Sequence, residues 1–227
     1  SLVFMTNVIA KNDFVEFRFT GKVKDGEIFD TNIPESAKLM GLEMESKPVV
    51  ICVGHQMILP KLDEFLIGKE LYKDYNVNVT PKEGFGERKR EMMKVLPIEV
   101  FVKQNLRPVV GAVFSFDDMP AKITAYSGGR VTVDFNNPLA GKDLVYDLKV
   151  VKKVDDLKEQ VKSLILFYFR NNIAFEIKEK VVVLDIDPKI KPFLEAFSGK
   201  FKEILGMTLD VKEKKEEVKK AEVSNNK

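Results

Sequence analysis

The chain has 227 residues, 44% of them apolar, enough to bury a sizeable core in one large domain or two to three small ones. Lys and Arg (37) nearly balance Asp and Glu (35), a net charge of +2 that argues against a dedicated nucleic-acid or membrane-surface binder. One cysteine, Cys52, excludes an internal disulfide and a multi-cysteine metal site, and the single histidine, His55, leaves no basis for a histidine-rich zinc site, so a reducing, cytoplasmic setting is expected.

No apolar run reaches membrane-spanning length, and the opening SLVFMTNVIAKND is too short and too weakly apolar for a secretory signal. The first half then reads as β structure. In DFVEFRFTGKV, Phe14, Glu16 and Arg18 alternate with Val15, Phe17 and Phe19, a strand with two different faces. Lys-Asp-Gly-Glu turns it into GEIFDTN, whose end places a carboxylate, Asp30, directly behind a large aromatic, Phe29. A short helix is expected near Glu35 to Met40, then a buried strand, PVVICVG.

ILPKLDEFLIG carries Ile58, Leu59, Leu62, Phe65 and Leu66 at helical spacing, with Pro60 suited to the first turn and Gly68 to the end. DYNVNVTP is another alternating strand, closed by a Gly-Phe-Gly turn around Phe85. From Glu87 to about Asn137 the composition changes. A short helix signal, PIEVF, and three strand signals, GAVFSF, AKITAY and RVTVDF, predict a small β unit, with Glu87 to Arg90 read as a solvated linker into it. Strand character resumes over Leu144 to Val151, as expected when an inserted unit interrupts a sheet that its last strand must rejoin.

The remainder predicts an αββα module. Leu157, Val161, Leu164, Ile165 and Tyr168 share one helical face, and two short strands follow around a Lys-Glu-Lys turn. A second helix, capped by Asp187 before Pro188, carries Ile190, Phe193, Leu194, Phe197, Phe201, Ile204 and Leu205 on one stripe. About 55 residues make a small free-standing domain, so this module is expected to pack on the rest of the chain or on another copy. The tail, 212–227, is charged and low in complexity and reads as a disordered or frayed segment.

The usual catalytic signatures are missing. There is no Ser-His-Asp order, no cysteine with a base, no phosphate-cradling Gly-Lys-Ser/Thr loop and no carboxylate pair at a diagnostic spacing. Aromatic residues recur instead at strand ends and turns: Phe19, Phe29, Phe85 and Tyr146. An antiparallel sheet curled over the one clear helix of the first half, with Ile58, Leu59 and Leu62 at its start, would gather them into an apolar pocket holding one carboxylate, Asp30.

FTGKVKDGEIFDTN resembles the first signature of FKBP-type peptidyl-prolyl isomerases, VGHQMILPKLDEFLIG the strand-turn-helix that floors their pocket, and VTPKEGFGE their flap turn. FNNPLAGKDLVYDLKVV is similar to the closing strand of the SlyD-type branch, which carries an insert in the flap, and the whole layout resembles the long archaeal members. The resemblance covers about residues 8–154 and is weaker over 155–211. It implies an α+β fold: an FKBP-like curled antiparallel sheet over a short helix (1–86 and 138–154), a small β insert (87–137), and an α/β C-terminal module (155–211).

The resemblance also implies the site. Phe19, Phe29, Phe85 and Tyr146 match the family's pocket aromatics, Asp30 its pocket acid, and Val49, Ile51, Ile58 and Leu59 its aliphatic lining. Leu62 stands where the pocket base is often Trp, Phe19 where Tyr is common, Phe85 where a Tyr often hydrogen-bonds the substrate carbonyl, and Asn137 where the SlyD-type branch has His. The implied activity is cis-trans isomerisation of X–Pro bonds, which needs no cofactor or metal. In the insert, Met92, Met93, Val109, Val110, Phe114, Phe116 and Met119 are candidates for binding unfolded, proline-containing polypeptides, since Met adapts to varied partners. The departures at Phe19, Leu62 and Phe85 keep an alternative open, a holding chaperone with a weakened isomerase site. The C-terminal module is a candidate homodimer contact.

Overall fold

A computed structural model describes residues 7–45, 49–116 and 118–212. Its first sheet is antiparallel throughout. The central strand β1 (Phe14–Val23) pairs along its whole length with β9 (Leu144–Lys153), and β4 (Asp74–Val79) adds to the far edge of β9. The other edge of β1 is shared by two short strands: β2 (Ile28–Thr31) pairs with Thr20 to Lys22, and β3 (Val49–Cys52) pairs with Phe14 to Phe17. Between β2 and β3 lies α1 (Pro34–Leu39).

Because strand side chains alternate, β1 serves two cores. Val15 and Phe17 point into the first, with Ile51, Val77, Val79, Leu148 and Val150, and α2 (Pro60–Leu66) closes that core with Leu62 and Leu66. Phe14 points into the second, with Cys52 and Val154, against the C-terminal module. The module's small size is thus offset by a core shared with the outer face of the first sheet. Its helices are α4 (Leu157–Phe169), N-capped by Asp156, and α5 (Lys191–Leu205), preceded by a single 3-10 turn that Asp187 caps.

Two strands escape the sequence reading. The module's sheet has three strands, β10 (Phe175–Lys178), β11 (Val181–Leu184) and β12 (Thr208–Val211), with β12 parallel to β11. The arrangement is αββαβ rather than αββα. The insert sheet likewise has four strands, ordered β5 (Met93–Pro97), β8 (Arg130–Asp134), β7 (Met119–Ser127), β6 (Val113–Phe116), with α3 (Glu99–Val102) packing Phe101 onto Ile123, Val131 and Val133. The stripe on α5 also needs correction: Phe193 is 72% exposed, about a quarter-turn from the line through buried Leu194 and Phe201.

The passage into the insert is tied rather than merely solvated. Arg88 pairs with Asp134, the Lys89 N–H donates to Asn136 Oδ1 (2.9 Å), and Asn136 Nδ2 donates back to the Lys89 carbonyl (3.0 Å). The Gly141 N–H donates to the Gly86 carbonyl at 2.8 Å, joining the outgoing and returning connections at their base. The charged tail lies outside the described residues, except Lys212, whose N–H donates to the Leu184 carbonyl.

Candidate functional site

The site grows from one irregularity in the β1–β2 ladder. Gly21 faces Asp30, but the next residue, Lys22, faces Ile28, so Phe29 is an extra residue with no partner across the strand. Such a bulge re-aims a side chain. Here it lays the Phe29 ring over Gly21, where a Cβ would lie 2.8 Å from both Phe29 Cζ and Tyr146 Cε1. Gly21 is therefore required for close approach of two rings. The sequence reading did not single it out; its signal was a glycine inside an otherwise well-patterned strand.

Gly21 also pairs with Tyr146 on β9, so Asp30, Gly21 and Tyr146 form one cross-strand row. The Phe29 ring meets Tyr146 edge-on at 5.8 Å and Phe85 edge-on at 6.3 Å. Such aromatic pairs add about 0.5–1.5 kcal/mol beyond the area they bury. Tyr146 and Leu62 are buried, 5% and 3% exposed, while Phe19, Phe29, Phe85, Ile58 and Leu59 are half-buried against the same core. Phe19 stacks on Phe17 at 5.4 Å. All eight candidate residues except Asp30 thus belong to one apolar cluster, with buried Tyr146 and Leu62 deepest in it.

Asp30 is exposed at the end of that row, yet the surrounding protein raises its pKa above the usual carboxylate range, partly offset by the Thr31 N–H that it accepts. Burial pushes the Tyr146 hydroxyl up to about 12, and the Asp30 charge adds to the push. The tyrosine therefore stays protonated at any ordinary pH and remains a donor.

Three polar brackets hold these parts in place. Buried Asn32 accepts from the Phe19 N–H and donates to the Phe17 carbonyl, both at 2.8 Å, which fixes the end of β2 to β1 where the edge passes to β3. Asp63, 3% exposed, accepts from the Gly54 and Gln56 N–H groups at 2.9 and 2.8 Å and ties the loop after β3 to α2. Glu83 accepts from the Thr80 N–H and hydroxyl and pairs with Lys61 of α2 at 2.8 Å, which fixes the Phe85 turn; the lysine first, then Thr80, holds its pKa down at about 2. Leu59 caps α2, with its carbonyl accepting from Leu62 and Asp63.

Cys52 and His55 lie apart from the pocket. The Cys52 thiol is buried and pushed up to about 12 by burial and by Asp63 and Asp13. His55 faces Asn12 (2.8 Å) and Glu203 of α5 (3.8 Å). In the insert, Met93, Val109, Val110 and Met119 are exposed, and Met92 is half-buried. Phe114 and Phe116 turn their rings edge-on to Phe101, at 6.1 and 5.5 Å, so both also fill the insert's core. Val95, Val102 and Val113, each more than 60% exposed, add apolar surface that the sequence reading left out.

Two families of known proteins match segments of this chain. Residues 6–103 match the family described as FKBP-type peptidyl-prolyl cis-trans isomerase, and residues 94–139 match the one described as FKBP26, IF domain. A short-type peptidyl-prolyl cis-trans isomerase of Methanocaldococcus jannaschii is 34% identical over 149 residues, 64% of this chain and 94% of that protein. The FKBP-type peptidyl-prolyl cis-trans isomerase SlyD of Pasteurella multocida is 28% identical over 157 residues, 67% of this chain and 73% of that one. An FKBP-type 16 kDa peptidyl-prolyl cis-trans isomerase of Escherichia coli is 26% identical over 153 residues, 65% of this chain and 95% of that one.

Proposed function

The chain belongs to the FKBP-type peptidyl-prolyl cis-trans isomerase family, and we propose that it couples isomerisation in the Phe29 pocket to the capture of unfolded polypeptides by its insert. The unit boundaries follow the same reading: an isomerase domain of residues 1–86 and 138–154, an insert of 87–137 and a C-terminal module of 155–211. Its clients are unfolded or partly folded, proline-containing chains in a reducing cytoplasm.

Rotation about a peptide bond costs ~18–20 kcal/mol because it breaks amide resonance, and X–Pro bonds therefore isomerise slowly enough to limit folding. No bond to the substrate has to form or break. The planar amide carries more charge separation than the twisted one, so an apolar pocket that water cannot enter favours the twisted state, and each ~1.4 kcal/mol of that preference is tenfold in rate. The proline ring sits on Phe29 and Leu59, with Phe19, Leu62 and Tyr146 as walls. The N–H of Leu59 or Ile58 holds the substrate carbonyl, in place of the hydroxyl that Phe85 lacks. Asp30 orients the pocket through its charge next to Tyr146 and is not a general base.

The observation that carries this reading is the bulged Phe29 seated over Gly21 between Tyr146 and Phe85. Met93, Val109, Val110 and Met119, with Met92, Phe114 and Phe116 beside them, supply the capture surface, which raises the local concentration of prolines at the pocket. The C-terminal module offers a homodimer contact through exposed Phe193. The test is isomerisation of a proline tetrapeptide by the full chain and by Phe29→Ala. A rate that Phe29→Ala lowers by about tenfold or more supports the pocket. A full chain that is inactive on the tetrapeptide but still suppresses aggregation would make the protein a holding chaperone.

A further inference from the structure

A well-formed cavity lies outside the pocket above. It holds about 420 Å³ between β3 and α4, within the range of roughly 300–1,000 Å³ common to ligand clefts. Its floor is apolar: Val49, Val50, Ile51, Met57, Leu166 and Phe167. Three consecutive β3 residues line it, although only alternate side chains of a strand share a face. The cavity therefore runs along the backbone edge of β3.

That edge is open. On the inner side, the Val53 N–H donates to the Asp13 carbonyl and the Asn12 N–H to the Val53 carbonyl, both at 2.9 Å. Alternation along the antiparallel ladder then turns Ile51 and Val49 toward β1, and Val50 and Cys52 outward. The Cys52 N–H is taken by Met57 Sδ at 3.1 Å. The peptide group of Val50 faces outward, and no strand among the described residues pairs with this edge of β3.

The opposite wall is one stripe of α4, Glu159, Lys162, Ser163, Leu166 and Phe167, at spacings of three and four residues, with Arg170 just past the helix end. Leu166 is 48% exposed although it belongs to a helix whose other face, Val161, Leu164 and Ile165, is fully buried. Across the groove, Lys152 is engaged by Glu16 at 3.4 Å. Lys162 and Arg170 make no ion pair among the described residues, and Arg170 lies over the Phe167 ring at 5.1 Å. The free charge of the groove is thus two cations against one carboxylate, Glu159.

We propose that this groove is a second polypeptide subsite, taking an extended apolar stretch with an acidic residue beside it. The open edge of β3 takes the backbone, the apolar floor takes the side chains, and Lys162 and Arg170 take the acidic group. The proposal rests on the reading that the protein binds unfolded polypeptides. It places a hold on the client directly behind the strand whose Val49 and Ile51 also pack into the core under the isomerase pocket.

The test uses the full chain and a fluorescent eight-residue peptide of Val and Leu with one Asp and no proline, followed by anisotropy, with tetrapeptide isomerisation measured in parallel. Leu166→Asp is expected to weaken peptide binding about tenfold and leave the tetrapeptide rate unchanged. Replacing the peptide's Asp by Lys is expected to weaken binding about threefold, and Lys162→Glu to reverse that preference. Peptide binding that Leu166→Asp leaves intact but Val95→Asp in the insert abolishes would overturn the proposal, as would no binding at all. So would a dimer that Leu166→Asp splits while the peptide has no effect, which would give the groove to a second copy. An inactive full chain that still binds the peptide through Leu166 would remove the isomerase reading and leave the groove standing.

Discussion

The first sheet and the insert sheet are built alike and use their apolar residues in opposite ways. Each is antiparallel and closed on one face by a short helix, α2 in one and α3 in the other. In the first, a bulge and a missing Cβ turn Phe29 inward until three aromatic rings meet. In the insert, the rings of Phe114 and Phe116 meet Phe101 and Phe135 meets Phe116, while aliphatic side chains at β5, α3 and β6 remain in solvent. A convergent pocket suits one ring of fixed shape, whereas a spread aliphatic surface suits chains of no fixed sequence.

The largest effect that should break this contrast is at Gly21. Gly21→Ala must push Phe29 and Tyr146 apart, so the tetrapeptide rate is expected to fall about tenfold or more, with aggregation suppression unchanged. Equal loss of both would mean that the two sheets do not act separately. Next is Asn32→Ala, which leaves the Phe19 N–H and Phe17 carbonyl without their buried partner. A loss of about 1–3 kcal/mol in denaturant unfolding is expected. On the insert side, Val95→Asp with Val113→Asp is expected to slow chaperoned refolding of a protein substrate several-fold while the tetrapeptide rate stays put.

The smallest effects are in pH. Asp30 has a raised pKa in the fold, so the folded chain keeps its proton where the unfolded chain has lost it. Stability from this group therefore falls as pH rises from the ordinary carboxylate value through the raised one, and Asp30→Asn should remove that slope. Glu83 behaves oppositely. Its pKa is held at about 2, so its contribution is present above the ordinary value near 4.5 and is lost as pH falls toward 2. Glu83→Gln should flatten that acid limb and, by loosening the Phe85 turn, weaken substrate binding slightly. Unfolding curves of both variants between pH 2 and 7 would read the two signs.

Most of the frame was legible because burial on two sides writes strong patterns. The strict alternation of β1 announced its two faces, and the Pro60 and Gly68 signals bounded α2 closely. The missed strands, β5 and β12, are both sheet edges. An edge strand is covered on fewer sides: MKVLP carries only weak alternation, TLDV alternates over just four residues, and both sit beside charged segments. Phe193 misled because helical periodicity gives a direction but not the width of what lies beneath. At the candidate site, aromatic residues at turns were readable, and the resemblance ordered them. Gly21, Asn32, Asp63 and Glu83 were not singled out, since each acts through a contact far along the chain or an orientation that spacing does not encode.

The most direct test of the coupling between pocket and insert is proline-limited refolding of a reduced, unfolded protein, catalysed by the full chain and by a variant with residues 88–136 replaced by a short loop, with tetrapeptide isomerisation as reference. The account predicts that the full chain accelerates both reactions and that the variant keeps the tetrapeptide rate while losing most of its effect on refolding. A variant that accelerates refolding as well as the full chain would contradict it.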